Sequence, residues 1–350
     1  MQKLILPKKL SAGDKIAVIS ASWGGPGTFP YRYEIGKKRL QNVFGLEVVE
    51  MPHALSDSEW VYQNPKARAD DLMQAFLDPT IKGIFSTIGG DDAIRLLPYI
   101  NFEIIRKNPK VVLGYSDSTV IHFICLKAGL ATFYGTSVMT GFAENVEMHD
   151  YTVQGIKQTL FTDNIIGNIP TPIEGWTKEY LDWKDPSNQN IKRKLQKTEK
   201  WEFIGNTQKI VQGRLLGGCI EVLQFINGTE IWPTLDIWSG CILFLETSEE
   251  GITPLALKRI LRNLAAQGIL SKIAGVLFSK PGGSHVFFPQ FKEYGKAILE
   301  VFDEFEIPRA SIVINMDFGH SDPMWIMPYG CLAEINPFEE TVSLLETAVL

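Results

Sequence analysis

From Lys15 to about residue 129, short apolar runs alternate with stretches long enough to form helices, and this alternation constrains the chain more than any other feature of its sequence. Lys15-Ile16-Ala17-Val18-Ile19-Ser20-Ala21 has the pattern of a buried strand, closed by the turn residues Ser22-Trp23-Gly24-Gly25-Pro26-Gly27. The pattern predicts a helix over 31–44, a strand from Leu46 to Met51 and a helix over 65–77. It continues with a strand from Gly83 to Ile88, a helix over 91–98, a strand from Val111 to Gly114 and a helix over 118–129. Strands separated by helices in this way are joined by right-handed crossovers, so the sheet is parallel and covered on both faces. The fold class of this region is α/β.

The alternation stops over 141–210, where the chain becomes polar and aromatic, with Trp176, Trp183, Trp201, Pro170, Pro172 and Pro186. This stretch reads as a linker and a Trp-rich loop of the kind that carries function. A second unit opens at Gln212-Gly213-Arg214-Leu215-Leu216-Gly217-Gly218, with strands predicted over Cys241–Leu245, Ile273–Phe278 and Ser311–Ile314. Between the first two of these, Thr253 and Pro254 mark the start of a helix. Cys331–Ile335 and Thr341–Leu345 read as a closing hairpin. With 350 residues the chain divides into 1–140, the excursion 141–210, and 211–350.

Composition narrows the function classes. Hydrophobic residues make up 45% and charged residues 21%, a balance that supports a buried core. The net charge of -6, with only the short basic run Lys192, Arg193, Lys194 and Lys197, disfavours nucleic acid as a partner, and that run reads as a solvated loop. Cys125, Cys219, Cys241 and Cys331 form no CxxC pair, so no metal site is expected. The opening MQKLILPKKL lacks the apolar stretch of a secretory signal, and no segment has the length of a membrane span. The expectation is a cytoplasmic protein with no membrane partner.

The chemistry concentrates at Val111-Val112-Leu113-Gly114-Tyr115-Ser116-Asp117-Ser118-Thr119, an apolar strand running into a helix with small residues two positions either side of Ser116. This approximates the nucleophile elbow G-x-S-x-G, with Ser118 in the last place. A sharp turn of this kind exposes the hydroxyl and aims the first helical N–H groups at the same space. The alternative is that Ser116 caps the helix that follows. A serine nucleophile needs a histidine base and usually a carboxylate behind it. Of the five histidines, His122 reads as packing, and His53, His149 and His285 lie in loops without other signals. His320 directly follows a predicted strand, where parallel-sheet proteins place working residues. Glu246 ends the apolar strand Cys241–Leu245 and must find partners there. Asp317 and Asp322 compete for the acid's role but read as turn residues.

The segments Gly114-Tyr115-Ser116-Asp117-Ser118-Thr119, Ile88-Gly89-Gly90-Asp91-Asp92, Phe244-Leu245-Glu246-Thr247-Ser248-Glu249 and Phe318-Gly319-His320 together resemble the LD-carboxypeptidase family of serine peptidases. The resemblance extends from Leu10-Ser11-Ala12-Gly13-Asp14-Lys15 to Gly330-Cys331-Leu332-Ala333-Glu334. It implies a flavodoxin-like amino-terminal domain, a β-rich α+β carboxy-terminal domain, a site between them and a homodimer. It implies Ser116 as nucleophile, Glu246 and His320 completing a triad, the N–H groups of Gly90 and Asp117 as oxyanion hole, and no cofactor. Two branches follow from it: trimming of D-alanine from murein tetrapeptides, and hydrolysis of aminoacyl nucleotides as in microcin C self-immunity. The length, the Trp-rich excursion and Leu-Glu-Thr-Ser-Glu-Glu favour the second, with Trp183, and behind it Trp176, stacking on the nucleobase.

Three other readings compete. A dinucleotide-binding oxidoreductase is suggested by Gly25-Pro26-Gly27 and Glu50, but Pro30 stands where the third glycine belongs. A non-catalytic peptide- or nucleotide-binding protein would use the same interdomain cleft. A glycosidase using Asp91 and Asp92 is disfavoured because adjacent residues at a helix start point in different directions.

Overall fold

The apolar runs form strands buried on both faces, and the strands form two sheets. A computed structural model describes residues 3–350. In chain order its strands are β1 (Lys15–Ile19), β2 (Glu47–Glu50), β3 (Ile81–Ser86), β4 (Val111–Gly114), β5 (Phe133–Tyr134), β6 (Gly167–Asn168) and β7 (Glu202–Gly205). There follow β8 (Val211–Cys219), β9 (Cys241–Glu246), β10 (Gly275–Ser279), β11 (Ser311–Met316), β12 (Met327–Pro328), β13 (Leu332–Asn336) and β14 (Thr341–Leu344). The first sheet has the order β12-β5-β4-β3-β1-β2, with β1 to β5 parallel and β12 antiparallel at its edge. The run 2-1-3-4-5 is the flavodoxin-like order, in which ligands bind beyond the carboxyl ends of the strands near β1 and β3.

The second sheet has the order β6-β14-β13-β8-β9-β10-β11-β7. Strands β8 to β11 are parallel, and antiparallel strands close both edges. Every residue of β4, β9, β10 and β11 is buried. Such continuous apolar strands are what a parallel sheet covered by helices on both faces requires.

The helix Thr119–Ala128 continues from β4, and all but one of its residues are buried. His122 on this helix packs, as expected, but it also tethers. Its Nε2–H donates to Gly114 O at 2.9 Å, so its Nδ1 accepts from the Thr132 hydroxyl at 2.9 Å. Burial lowers its pKa to about 4, and the neutral ring holds the end of β4 against the helix. The helix Pro254–Ala266 starts as predicted, with the Thr253 hydroxyl accepting from Ala256 N–H at 3.2 Å, a cap contributing about 1 kcal/mol.

Three expectations change. The segment read as a helix over 91–98 is a 3₁₀ turn, Ala93–Tyr99, because Pro98 removes an α-helical donor. The stretch 141–210 is more than a linker: it holds the helix Asp150–Leu160, and β6 and β7 form the two edges of the second sheet. The basic run within it is not uniformly solvated, because Arg193 is half-buried between two carboxylates. The hairpin β13–β14 forms as read, antiparallel through Asn336↔Thr341.

Among the described residues no helix is long and apolar enough to cross a membrane. The four cysteines are buried and unpaired. No metal-holding group of His, Cys, Asp or Glu occurs among the described residues.

Candidate active site

Strand β4 delivers Ser116 on a strained turn. Tyr115 is still extended, whereas Ser116 has φ 60°, a left-handed conformation that a residue with a side chain seldom adopts. Ser118, the departure from the elbow pattern, fits because its hydroxyl donates to Ser86 Oγ at 2.8 Å. The Ser116 side chain caps no helix. Its Oγ instead lies 3.2 Å from His320 Nε2.

His320 and Glu246 come from the second sheet. Glu246 is the last residue of β9 and fully buried; His320 follows β11 on the loop from Asp317. His320 Nδ1–H donates to the Glu246 carboxylate at 2.6 Å. The contact requires Gly319, at φ 79°, because a Cβ there would fall 2.6 Å from Glu246 Cγ. The other Glu246 oxygen accepts from the Tyr134 hydroxyl at 2.5 Å, and that hydroxyl accepts from Ser116 N–H at 3.0 Å. Tyr134 thus joins the serine's backbone to the carboxylate across the two sheets.

The loop carrying His320 is pinned by a fully buried pair. Lys280 Nζ donates to Asp317 and, at 2.9 Å, to Asn315 O. Trp201 Nε1–H donates to the other Asp317 oxygen at 2.9 Å. Burial dominates both titrations, raising the Asp317 carboxyl and lowering the Lys280 ammonium. For His320, burial opposes the charge, yet Glu246 and Glu249 together hold its pKa well above the ordinary value. Glu249 Oε2 lies 3.0 Å from Nε2, on the side facing Ser116.

Opposite Ser116 runs the Gly89–Gly90 turn that follows β3. A Cβ on Gly89 would fall 3.0 Å from Ser116 Oγ and 3.5 Å from Asp117 N, so this backbone borders the same space as the serine and the Asp117 amide. The Asp117 side chain turns away. Its Oδ2 accepts from Ser22 Oγ at 2.5 Å and from Ala93 N–H at 2.8 Å, and burial raises its pKa.

These groups open on a cleft of about 410 Å³ between the strand ends of the two sheets. Trp183 lines it, half-buried, with Phe29 edge-on at 5.8 Å and the Arg32 guanidinium 4.2 Å from its ring centre. The Tyr31 hydroxyl holds the Trp183 carbonyl at 2.7 Å. Arg32 donates only to neutral acceptors, Met139 O, Asn145 Oδ1 and Gln189 Oε1, and burial lowers its pKa to about 10.

Sequence comparison decides what this frame belongs to. Residues 16–135 match the model of the LD-carboxypeptidase N-terminal domain, and residues 212–335 that of the LD-carboxypeptidase C-terminal domain. A Vibrio cholerae protein with a provisional carboxypeptidase name is 30% identical over 97% of this chain and 98% of its own length. The chain belongs to the LD-carboxypeptidase family.

Within that family, the Microcin C7 self-immunity protein MccF of Escherichia coli is 28% identical, covering 98% of this chain and 96% of its own. The solved structure of MccF in complex with aspartyl sulfamoyl adenosine superposes with a TM-score of 0.86 at 27% identity, over 99% of this chain and 100% of that one. An MccF-like protein from Streptococcus pneumoniae, solved in complex with AMP, gives a TM-score of 0.84 at 32% identity, over 95% of this chain and 98% of its own. The mixed α/β architecture of this chain is that of MccF.

In this member of the family the structure brings Ser116, His320, Glu246, Gly90 and Trp183 to one cleft. It does not bring Trp176 there. Trp176 is 1% exposed, pairs with Gln196 through its backbone and packs against Phe291, so neither ring face is free for a base. Asp317 and Asp322 are not mere turn residues. Asp317 is the buried partner of Lys280, and Asp322 lines the cleft, held by Arg193 at 2.7 Å. Arg193 also grips Glu144 through two nitrogens, and His149 stands beside Glu144, whose pKa falls to about 2 because these partners outweigh its burial. The sequence reading passed over Tyr134, Arg32 and the pairing of Arg193. It noted Glu249 only as part of a run, although a carboxylate three residues beyond a strand-end Glu246 was a signal to follow.

Proposed function

We propose that this protein is a serine-type amide hydrolase that cleaves aminoacyl or peptidyl nucleotides, with Ser116 as nucleophile, His320 as general base and Glu246 orienting the imidazole. The observation that carries the reading is the continuous series Ser116 Oγ, His320 Nε2, His320 Nδ1, Glu246, at 3.2 and 2.6 Å. Ser116 Oγ attacks the scissile carbonyl carbon while its proton passes to His320 Nε2. The oxyanion is held by the N–H groups of Gly90 and Asp117. The carbon–nitrogen bond then breaks, the proton on Nε2 goes to the leaving nitrogen, and water releases the acyl group by the same steps in reverse order.

The nucleotide class is supported by Trp183, an aromatic ring lining the cleft on which a base can stack, and by the aminoacyl sulfamoyl adenosine and AMP bound by the relatives. Trp183→Ala is expected to weaken AMP binding by about 1–3 kcal/mol by calorimetry, and unchanged affinity would remove Trp183 from the base site.

The deciding experiment is mass-spectrometric product analysis with aspartyl sulfamoyl adenosine and, separately, a murein tetrapeptide, for the native protein and Ser116→Ala. Cleavage of the adenosine compound, falling by roughly 10⁴-fold or more in the variant, is expected. Full turnover by Ser116→Ala would end the serine mechanism, and release of D-alanine alone would assign the protein to murein. Sedimentation of the purified chain tests the homodimer that the family resemblance implies.

A further inference from the structure

Glu249 lies in the turn that follows β9, and its side chain is 78% exposed. No lysine or arginine among the described residues lies within ion-pair distance of it; its cationic partner is His320 Nε2. The other carboxylates of the cleft are engaged. Glu144 and Asp322 are held by Arg193, and Glu179 accepts from Lys194 N–H at 2.6 Å. The ion pair of Glu249 with His320 exists only while His320 is protonated, and catalysis removes that proton: to act as a base, Nε2 must present a lone pair to the Ser116 hydroxyl. A carboxylate 3.0 Å from that lone pair is repelled, and its exposed side chain is free to turn to another cation that enters the cleft.

We propose that Glu249 is a specificity-determining residue that receives an ammonium group on the acyl portion of the substrate. The inference rests on the amide hydrolysis proposed above. A scissile carbonyl carbon must sit about 3 Å from Ser116 Oγ, and an α-ammonium is attached one carbon away from it. A carboxylate that reaches Nε2 in the free protein spans that space. A side-chain ammonium, as in a lysyl group, reaches the same oxygen, and either bond is charge-assisted. The substrate's charge then takes the place of the imidazolium, and Nε2 is released for the serine's proton.

The surroundings of His320 fit such an exchange. Glu246 faces it from the end of β9, Glu249 from the following turn, the Tyr115 ring at 5.0 Å from the end of β4, and Asp322 stands two residues along its own loop. Glu246 is locked by Tyr134, whereas the imidazole is the only side chain in ion-pair contact with Glu249 among the described residues, so its exposed carboxylate can leave. Removing Glu249 takes away one of the two charges that raise the His320 pKa, so the base forms at lower pH.

The test measures kcat/KM of the full chain and of Glu249→Gln on lysyl, norleucyl and Nα-acetyl-norleucyl sulfamoyl adenosine. In the native protein, loss of the ammonium that Glu249 receives is expected to lower kcat/KM about tenfold. The step from lysyl to norleucyl reports a side-chain ammonium, and acetylation reports the α-ammonium. That discrimination should vanish in Glu249→Gln, and the acid limb of its pH profile should move to lower pH. Equal rates on all three compounds in the native protein, or a preference that survives in Glu249→Gln, overturns the inference while leaving the hydrolase intact. Cleavage of none of the three, with the aspartyl compound still cleaved, overturns this inference alone; cleavage of no aminoacyl sulfamoyl adenosine overturns the aminoacyl-nucleotide reading, and this inference with it.

Discussion

The two halves of the cleft are built by different means. The first sheet supplies its part through backbone: a left-handed Ser116, a Gly89–Gly90 turn pressed against it, and a neutral His122 tethering the strand end. The second sheet supplies its part through buried charge, with Glu246 and His320 in contact and Lys280 paired to Asp317 behind the loop. A nucleophile needs accurate placement of one oxygen, which backbone geometry provides at little electrostatic cost. A base that must hold and release a proton needs a charged environment, and buried charges are stable only in complete sets.

The contrast can be broken from the charged side first. Lys280→Met leaves Asp317 buried without its counter-ion and is expected to cost about 3–5 kcal/mol of unfolding free energy, read as a lower urea midpoint. Adding Asp317→Leu to that variant should restore much of the loss, since removing both charges together is far less costly than removing one. An unchanged midpoint for Lys280→Met alone would show that the pair does not hold the loop. From the backbone side, Gly89→Ala places a methyl 2.9 Å from Ser116 Cβ. It is expected to lower kcat/KM by about 100-fold, because a displacement near 1 Å suffices for that, while shifting the urea midpoint less than Lys280→Met does. Full activity in Gly89→Ala would mean that the elbow yields without loss and that its geometry is not the means by which this half works.

The same division decides what could be read in advance. Strands β1, β3, β4, β9 and β11 were legible because a strand buried on both faces leaves a continuous apolar run, and Ser116, Glu246 and His320 were legible because each follows such a run directly. Arg193 was not, since its partners Glu144 and Asp322 are 49 and 129 residues away and a basic run looks the same whether or not one member turns inward to carboxylates. Trp176 and Trp183 share a loop, and no local pattern says which turns inward; packing against Phe291 decides it. Tyr134 belongs to a two-residue strand, too short to show any period, so its bridge between Ser116 and Glu246 appears only when both sheets are in place.

That bridge bears on the protein's synthesis. Ser116 and His320 lie 204 residues apart, and the Tyr134 hydroxyl that steadies the serine's turn makes its second bond to a strand made long after β1 to β5 have left the ribosome. While the chain is growing, the serine has neither the His320 imidazole beside it nor the anchor of its turn. On the mechanism proposed above, the emerging polypeptide is chemically silent toward the amide bonds around it, and becomes competent only when the strands that carry Glu246 and His320 have folded against the first sheet.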